Sequence, residues 1–104
     1  MSARVFLHET ARSDLIENFA IIGRESLDSA DHFLAQVKKA IDCLLVMPLL
    51  GSPRGEDPSS LPDLRCWPVP DFEESLVFYR PVKEGVEILR VLHETRDLGN
   101  VPQV

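Results

Sequence analysis

The residues of this 104-residue chain with the clearest capacity for chemistry lie together near its C-terminus. An imidazole, two carboxylates and a guanidinium fall within five positions, in His93, Glu94, Arg96 and Asp97. An imidazole and a carboxylate can act as general base and general acid, and a guanidinium can bind phosphate. An RNA-cleaving site needs these groups when the 2′-hydroxyl of the RNA is the nucleophile. The same residues in one turn also form solvated caps with local ion pairs, so both interpretations stay open at this point.

Three arginines belong to segments with strand-like composition. Arg90 lies in Gly85–His93, and the residues two and four positions before it and two positions after it are apolar. Side chains alternate between the faces of a strand, so Arg90 is predicted to stand in an otherwise apolar row. A buried, unpaired guanidinium is costly, and Arg90 must therefore pair with a carboxylate or lie where the sheet opens to solvent or ligand. Arg80 and Arg65 belong to the two preceding strands, and we expect the three arginines to converge on the sheet.

No metal or cofactor site is predicted. His8 and His32 have no partner at the spacing of metal ligands. Residues 51–55 match neither the Walker nor the dinucleotide-binding pattern. Cys43 and Cys66 are too few for a disulfide framework and lack CxxC spacing, so we expect reduced thiols packed as small hydrophobic side chains.

Composition limits the class of protein. The hydrophobic content of 44% is enough for one modest core, and we expect a single domain over residues 1–104. Seventeen acidic residues against eleven basic ones give a net charge of −6, which disfavours direct binding to nucleic acid. Asp42 and Pro48 interrupt the most apolar stretch, and residues 1–9 carry charges where a signal peptide would be apolar. We therefore expect no membrane span and a cytoplasmic protein.

The first half of the chain predicts one strand and two helices. Residues 4–8 are rich in β-formers, and Thr10 is the expected N-cap of the helix that follows. Apolar residues at helical spacing define one face of this first helix, which ends near Gly23: Ala11, Leu15, Ile16, Phe19 and Ile22. A second helix follows a cap at Ser26 or Asp28, and its stripe continues towards Pro48: Ala30, Phe33, Leu34, Val37, Ile41, Leu44 and Leu45. The short connection makes the two helices an antiparallel hairpin.

The second half predicts a long loop and three strands. Residues 48–63 hold four of the eight prolines and two of the five glycines, which is typical of a loop with a functional or mobile role. Residues 64–69 form a strand that Pro68 directs to an edge or a bulge, and residues 71–74 form a turn. Residues 75–80 and Gly85–His93 then form a hairpin. The last two strands are apolar on both faces, so we expect a partner or the chain's own tail to cover the face opposite the helices.

The element order βααβββ predicts an α+β fold, in which an antiparallel helical hairpin packs on a small antiparallel β-sheet. This order, together with short motifs over nearly the whole chain, resembles the RelE/ParE superfamily of bacterial type II toxins, and most closely its ParE branch. The motifs are Ala11, Asp14 and Leu15 in the first helix, Ala30 and Phe33 in the second, residues 48–51, Leu64, Arg65, Pro68 and Val69, residues 76–80, Gly85–His93, and Arg96 with Asp97.

The resemblance implies a toxin that is encoded beside an antitoxin and neutralised in a hetero-oligomer, where the antitoxin covers the toxin with an extended or helical segment. ParE-like toxins inhibit DNA gyrase, whereas RelE-like toxins cleave mRNA on the ribosome. RelE-like nucleases have an active face rich in lysine and arginine. In this chain Lys83 is the only lysine outside the helices, and residues 98–104 contain no titratable side chain. We therefore expect a gyrase inhibitor that is not an enzyme.

A gyrase inhibitor needs a binding surface and no catalytic residues. For that surface the resemblance and the strand positions indicate Arg65, Arg80, Arg90, His93 and Arg96, with Trp67 as an aromatic anchor or, equally, a core residue. If the chain is instead a RelE-like ribosome-dependent mRNA endonuclease, Arg65, Arg80, Arg90, His93 and Arg96 are the candidate catalytic residues. A non-toxic binding module on the same fold is the third alternative.

Overall fold

Two helices pack on one face of a five-stranded sheet in the computed structural model, which describes residues 3–54, 61–97, 99 and 101–102. The elements in chain order are β1 (Arg4–Leu7), α1 (Glu9–Gly23), α2 (Leu27–Val46), β2 (Ser52–Pro53), β3 (Arg65–Val69), β4 (Phe72–Val82) and β5 (Gly85–His93). The predicted α+β fold with a helical hairpin on a small sheet is confirmed.

The sheet is mixed, which the prediction of an antiparallel sheet did not include. Its strand order is β1-β5-β4-β3-β2, and β1 runs parallel to β5 while the other neighbours are antiparallel. A parallel neighbour needs a long connection, which the two helices and three strands between β1 and β5 supply. The two-residue strand β2 lies within the predicted loop 48–63, of which residues 55–60 fall outside the described residues.

The start of α1 differs from the prediction. His8 is the N-cap residue and makes no side-chain capping bond, so the expected cap at Thr10 is wrong. Thr10 lies in the first turn of the helix, and its Oγ1 donates to the carbonyl oxygen of Leu89 at 3.1 Å. This contact to β5 occupies the hydroxyl that would otherwise cap the helix.

The two helices bury their predicted faces to different degrees. Ser26 caps α2 by accepting from the Ser29 amide at 3.1 Å, and the buried residues of α2 largely follow the predicted stripe: Ala30, Phe33, Val37, Ala40 and Leu44. In α1 only Ala11 of the predicted face is fully buried, and Ile16 is exposed. The other buried residues of α1 are polar, namely Asp14 and Asn18, which is a departure from the apolar pattern.

A break in the β4–β5 register changes which β5 residues share a face. Phe78 pairs with Arg90 and Tyr79 pairs with Ile88, so Leu89 has no opposite residue and forms a bulge. The predicted common face of Val86, Ile88, Arg90 and Leu92 is therefore wrong, because a bulge shifts the alternation of side chains by one. Val86, Ile88 and Val91 pack towards the helices, while Leu89 and Leu92 pack on the opposite face.

The two faces of the sheet carry separate apolar clusters. The cluster under the helices includes Phe33, Leu44, Val77, Tyr79 and Ile88, all fully buried. The cluster on the opposite face comprises Leu64, Cys66, Phe78, Leu89 and Leu92, with Leu61, Leu76 and Val101 packed against it. Val101 belongs to the C-terminal tail, so the expectation that the tail helps to cover this face is confirmed.

The connections between strands are tighter than predicted. The turn before β4 involves Asp71, which has a positive φ of 66°, and β4 begins at the next residue, so the predicted turn 71–74 is too long. The bulge predicted at Pro68 is present as a register shift between Pro68 and Val69. At the β4–β5 hairpin, a Cβ on Gly85 would lie 1.9 Å from the carbonyl oxygen of Arg4. Only glycine lets β1 approach this closely.

Candidate functional site

Asp14 of α1 and Arg90 of β5 form a partly buried ion pair. Arg90 donates from Nε to Asp14 Oδ2 at 2.7 Å and from Nη2 to Oδ1 at 2.9 Å. The backbone amide of Val91 donates to the same carboxylate at 3.0 Å. The hydrogen bonds that Arg90 donates to Asp14 raise the pKa of Arg90 above its usual value, despite partial burial. Of the two predicted placements of Arg90, the structure has the one paired with a carboxylate.

Asn18 extends this pair by one helical turn. Its Nδ2 donates to the carbonyl oxygens of Asp14 at 2.8 Å and Val91 at 3.4 Å, and its Oδ1 accepts from Arg96 Nη2 at 2.6 Å. We call Asp14, Asn18, Arg90 and Arg96 the α1 clasp. The role of Asp14 and Asn18 was not predicted from the sequence, although their spacing of four places both on one helical face and was a usable signal.

His93 has hydrogen bonds at both ring nitrogens. Nδ1 accepts from the backbone amides of Thr95 at 3.3 Å and Arg96 at 3.2 Å. These amides only donate, so the neutral ring carries its proton on Nε2, which donates to Glu74 Oε2 at 3.1 Å. The imidazole therefore orders the turn after β5 in this conformation.

Asp97 completes the same turn. Its Oδ2 accepts from the His93 amide at 2.9 Å and from Arg96 Nη2 at 3.3 Å. Burial by itself would raise the pKa of Asp97, but the hydrogen bonds from His93 and Arg96 outweigh burial and lower the pKa below its usual value. The cluster predicted to offer acid, base and cation has the geometry of a cap with local ion pairs.

Arg65 binds the segment that follows α2. Its Nη1 donates to the carbonyl oxygens of Leu49 at 3.1 Å and Gly51 at 2.6 Å. The Tyr79 hydroxyl holds the same segment, because it donates to the Pro48 carbonyl at 2.7 Å and accepts from the Gly51 amide at 2.8 Å. Burial raises the pKa of Tyr79. This role of Tyr79 was not predicted, since nothing in the local sequence indicates a tyrosine that bonds to a segment 28 positions away.

Arg80 and Trp67 lie elsewhere on the sheet. Arg80 Nε donates to Glu87 Oε1 at 2.7 Å, and His8 Nε2 lies 3.5 Å from Glu87 Oε2. Trp67 is half-buried and packs against the apolar cluster under the helices. Its side chain therefore contributes to the core and keeps part of its surface exposed.

Apart from Trp67, which packs against the apolar cluster under the helices, the structure separates the predicted site residues into three places and does not bring the three strand arginines together. Arg65 faces the segment after α2, Arg80 pairs with Glu87, and Arg90 binds α1. His93 and Arg96 lie near Arg90, at the end of β5. An open groove of about 460 Å³ borders this last group, and its lining includes Asn18, Ile22, Phe72, Glu74, His93 and Arg96.

The described residues contain neither a metal-binding cluster nor a helix that could span a membrane. Within residues 3–54, 61–97, 99 and 101–102, no three His, Cys, Asp or Glu side chains are grouped so that they could hold a metal ion. Neither helix in that part of the chain has the length and apolar character of a membrane span. Cys43 and Cys66 are free thiols, and burial raises the pKa of Cys66. Cys43 is exposed, so the expectation of a packed side chain is wrong for Cys43.

Comparison with known families agrees with this fold. Residues 5–98 match the family model described as the ParE toxin of type II toxin-antitoxin system, parDE. The chain belongs to the ParE toxin family. The resemblance to the ParE branch is thus confirmed, and as a ParE-family protein the chain is the toxin of a type II system whose expected partner is an antitoxin.

A solved structure gives the same picture at the level of the fold. The fold of this protein is similar to that of a chain from the structure titled "Chromosomal ParDE TA system from P. aeruginosa", with a TM-score of 0.69 and 16% sequence identity. The similarity covers 88% of this chain and 95% of that one. A search of curated proteins found no match.

Proposed function

We propose that this ParE-family toxin acts in the cytoplasm by binding and inhibiting DNA gyrase, and that its cognate antitoxin neutralises it by binding the toxin directly. The match to the ParE family over residues 5–98 carries this proposal. In this account the toxin is a binding protein and performs no reaction on its target.

The hydrogen bonding at the end of β5 supports binding over RNA cleavage. A general acid–base mechanism needs an imidazole or carboxylate that is free to reach the reacting oxygen. Both nitrogens of His93 are instead bonded to Glu74 and the turn backbone, and Asp97 is bonded to His93 and Arg96. Arg90 is likewise bound through both Nε and Nη2 to Asp14. Cleavage would require these contacts to break first.

The predicted binding residues take two roles in this proposal, according to the contacts and the exposure of each side chain. The side chains of Arg80 and Arg96 are 38% and 34% exposed, and we propose that they contact the target, together with His93 and the open part of Trp67. Arg65 and Arg90 are positioning residues in this proposal. Arg65 holds the segment after α2, and Arg90 holds α1 against β5.

The test is a supercoiling assay with purified gyrase, relaxed plasmid and the purified toxin, with and without the antitoxin encoded beside it. The wild-type toxin should inhibit supercoiling, and the antitoxin should restore it. Arg80→Gln should raise the inhibitory concentration about 10-fold, as expected when an arginine that contacts the partner is removed from an interface. The matched control is Lys38→Gln, which also removes one cation from an exposed ion pair but lies on α2, and it should leave inhibition unchanged.

A parallel measurement separates this proposal from its alternatives. Inducible expression in bacteria should change reporter-plasmid supercoiling while total mRNA stays intact. Rapid loss of mRNA without a change in supercoiling would replace the gyrase proposal with the endonuclease. Normal growth with neither change, despite antitoxin binding, would indicate a non-toxic binding module.

A further inference from the structure

The chain presents a concentrated apolar surface where it leaves α2. Val46, Met47 and Leu49 are 81%, 57% and 69% exposed. No other part of the described chain has three large apolar side chains that are each more than half exposed within four positions. We call residues 46–50 the exit segment. Single exposed apolar side chains are common on folded proteins, but a contiguous group is typical of an interaction site.

Side chains from the sheet hold the backbone of the exit segment. Arg65 donates to the carbonyl oxygen of Leu49 at 3.1 Å, and the Tyr79 hydroxyl donates to the carbonyl oxygen of Pro48 at 2.7 Å. These bonds fix the backbone that carries Met47 and Leu49 before a partner binds. A segment that is already ordered loses little conformational freedom on binding, so more of its contact energy contributes to affinity.

The exit segment borders two open grooves. The first has a volume of about 400 Å³ and includes Lys39, Cys43, Val46 and Met47 in its lining. The second has a volume of about 780 Å³ and includes Leu45, Pro48, Val82 and Lys83. A partner that contacts the exposed side chains of the exit segment can therefore also fill concave surface beside them.

The charge around the exit segment is opposite in sign to that of the whole chain. Lys39 and Lys83 are exposed in the two grooves, and no carboxylate in the described part of the chain forms an ion pair with either of them. The two carboxylates in these grooves, Asp42 and Glu84, are in ion pairs with other cations. The chain as a whole has a net charge of −6. An apolar partner surface bordered by carboxylates therefore complements the exit segment.

The exit segment adjoins residues that the proposed function assigns to the target. Arg65 bonds to it directly, and Trp67 follows two positions later on the same face of β3. Leu50 and Trp67 both pack against the apolar cluster under the helices. The exposed part of Trp67 and the exit segment therefore belong to the same side of the sheet. A second copy of the chain fits this surface less well, because it would bring the same lysines against each other.

We propose that DNA gyrase binds the exit segment, and that Met47 and Leu49 enter an apolar pocket of gyrase that is bordered by carboxylates. This inference rests on the proposed inhibition of gyrase. It also gives Arg65 its positioning role, since Arg65 holds the backbone of the residues that make the contact.

A serine at position 49 tests the contact. Leu49→Ser removes the exposed side chain and keeps the carbonyl group that Arg65 binds. The matched control is Leu27→Ser at the opposite end of α2, because Leu27 is 67% exposed. Leu49→Ser should raise the concentration that inhibits supercoiling by purified gyrase at least roughly 10-fold relative to Leu27→Ser. Both variants should keep the thermal midpoint of the wild type, since neither leucine is buried.

Cys43 provides a second test in the wild-type chain. Its thiol is exposed beside Val46 and Met47, whereas Cys66 is buried, so N-ethylmaleimide should modify Cys43 in the free toxin. At a gyrase concentration of ten times Kd about a tenth of the toxin is free, so the modification should slow about 10-fold, as measured by mass spectrometry of the toxin. The control is Leu27→Cys in a Cys43→Ser background, whose thiol should stay reactive.

The same measurement identifies any other occupant of the exit segment. If the reaction of Cys43 in the free toxin slows as the toxin concentration rises, the surface belongs to a second copy. If the purified antitoxin protects Cys43 and gyrase does not, the surface belongs to the antitoxin. Either result overturns the proposal.

The inference and the proposed function fail in different ways. If the wild-type toxin inhibits gyrase while Leu49→Ser and Leu27→Ser inhibit equally, or while Cys43 stays reactive in the complex, gyrase uses another surface and the inference is wrong. If the wild-type toxin does not inhibit gyrase at all, the proposed function itself fails.

Discussion

The strongest prediction from the structure concerns the carboxylate of Asp14. Asp14→Asn keeps the size of the side chain but replaces an oxygen that accepts hydrogen bonds with an amide that donates them. In the wild-type chain this carboxylate accepts two bonds from Arg90 and one from the Val91 amide. The variant therefore removes the charge that compensates Arg90 and leaves at least one donor without an acceptor.

The expected loss of stability follows from the burial of the pair. Removing one partner from a buried ion pair costs about 3–5 kcal/mol. Asp14 is buried, but the Arg90 side chain is 25% exposed and can regain some water when its partner is lost. We therefore expect a smaller loss, about 2–3 kcal/mol in the free energy of unfolding. For a chain of this size the midpoint of thermal unfolding should fall by roughly 10–20 °C.

Urea denaturation at pH 7, followed by circular dichroism, measures this loss. The matched control is Asp31→Asn, the same substitution at an exposed position of α2, which should change stability by less than about 0.5 kcal/mol. A double-mutant cycle with Arg90→Met should give a coupling energy of about 1–3 kcal/mol between the two side chains. Equal small losses for Asp14→Asn and Asp31→Asn, or a coupling energy near zero, would refute the assignment of the α1 clasp as a main tie between α1 and the sheet.

Three further predictions concern other parts of the chain. Asp97 has a lowered pKa in the folded chain. The stability that its carboxylate contributes is therefore present above the unfolded pKa of about 3.9 and is lost as the pH falls through the folded pKa. Acid unfolding below pH 4 should be steeper in the wild type than in Asp97→Asn. Tyr79→Phe should lower the free energy of unfolding, measured by urea denaturation, by about 1–3 kcal/mol, because the Gly51 amide loses its acceptor. Hydrogen exchange at the Gly51 amide should accelerate, and an unchanged exchange rate would contradict this prediction. Gly85→Ala should lower the free energy of unfolding by more than roughly 2 kcal/mol, because the added Cβ would meet the Arg4 carbonyl oxygen. This reasoning is wrong if the variant is stable and amide exchange shows that β1 still pairs with β5.

Local sequence was sufficient to predict most elements of the fold. The end of α1 agrees with the apolar spacing, the bounds of α2 agree with that spacing and with the cap at Ser26, and the β4–β5 hairpin follows from two runs of β-formers around Lys83 and Glu84. These features depend on the spacing of apolar side chains and on the backbone preferences of neighbouring residues, which a sequence displays directly. The order of motifs was likewise enough to identify the ParE family, which the match over residues 5–98 confirms.

Tertiary structure decided how distant residues meet. Asp14 contacts Arg90 across 76 positions, and this contact makes a helix bury a polar residue that does not belong to its apolar pattern. The bulge at Leu89 shifts the alternation of β5, and the parallel position of β1 depends on the whole connection through the helices. The sequence determined which segments are helix or strand because those preferences are local. The pairing of charges, the register and the position of β1 depend on the packing of the complete chain, because each requires groups that are far apart in sequence to be brought within hydrogen-bonding distance.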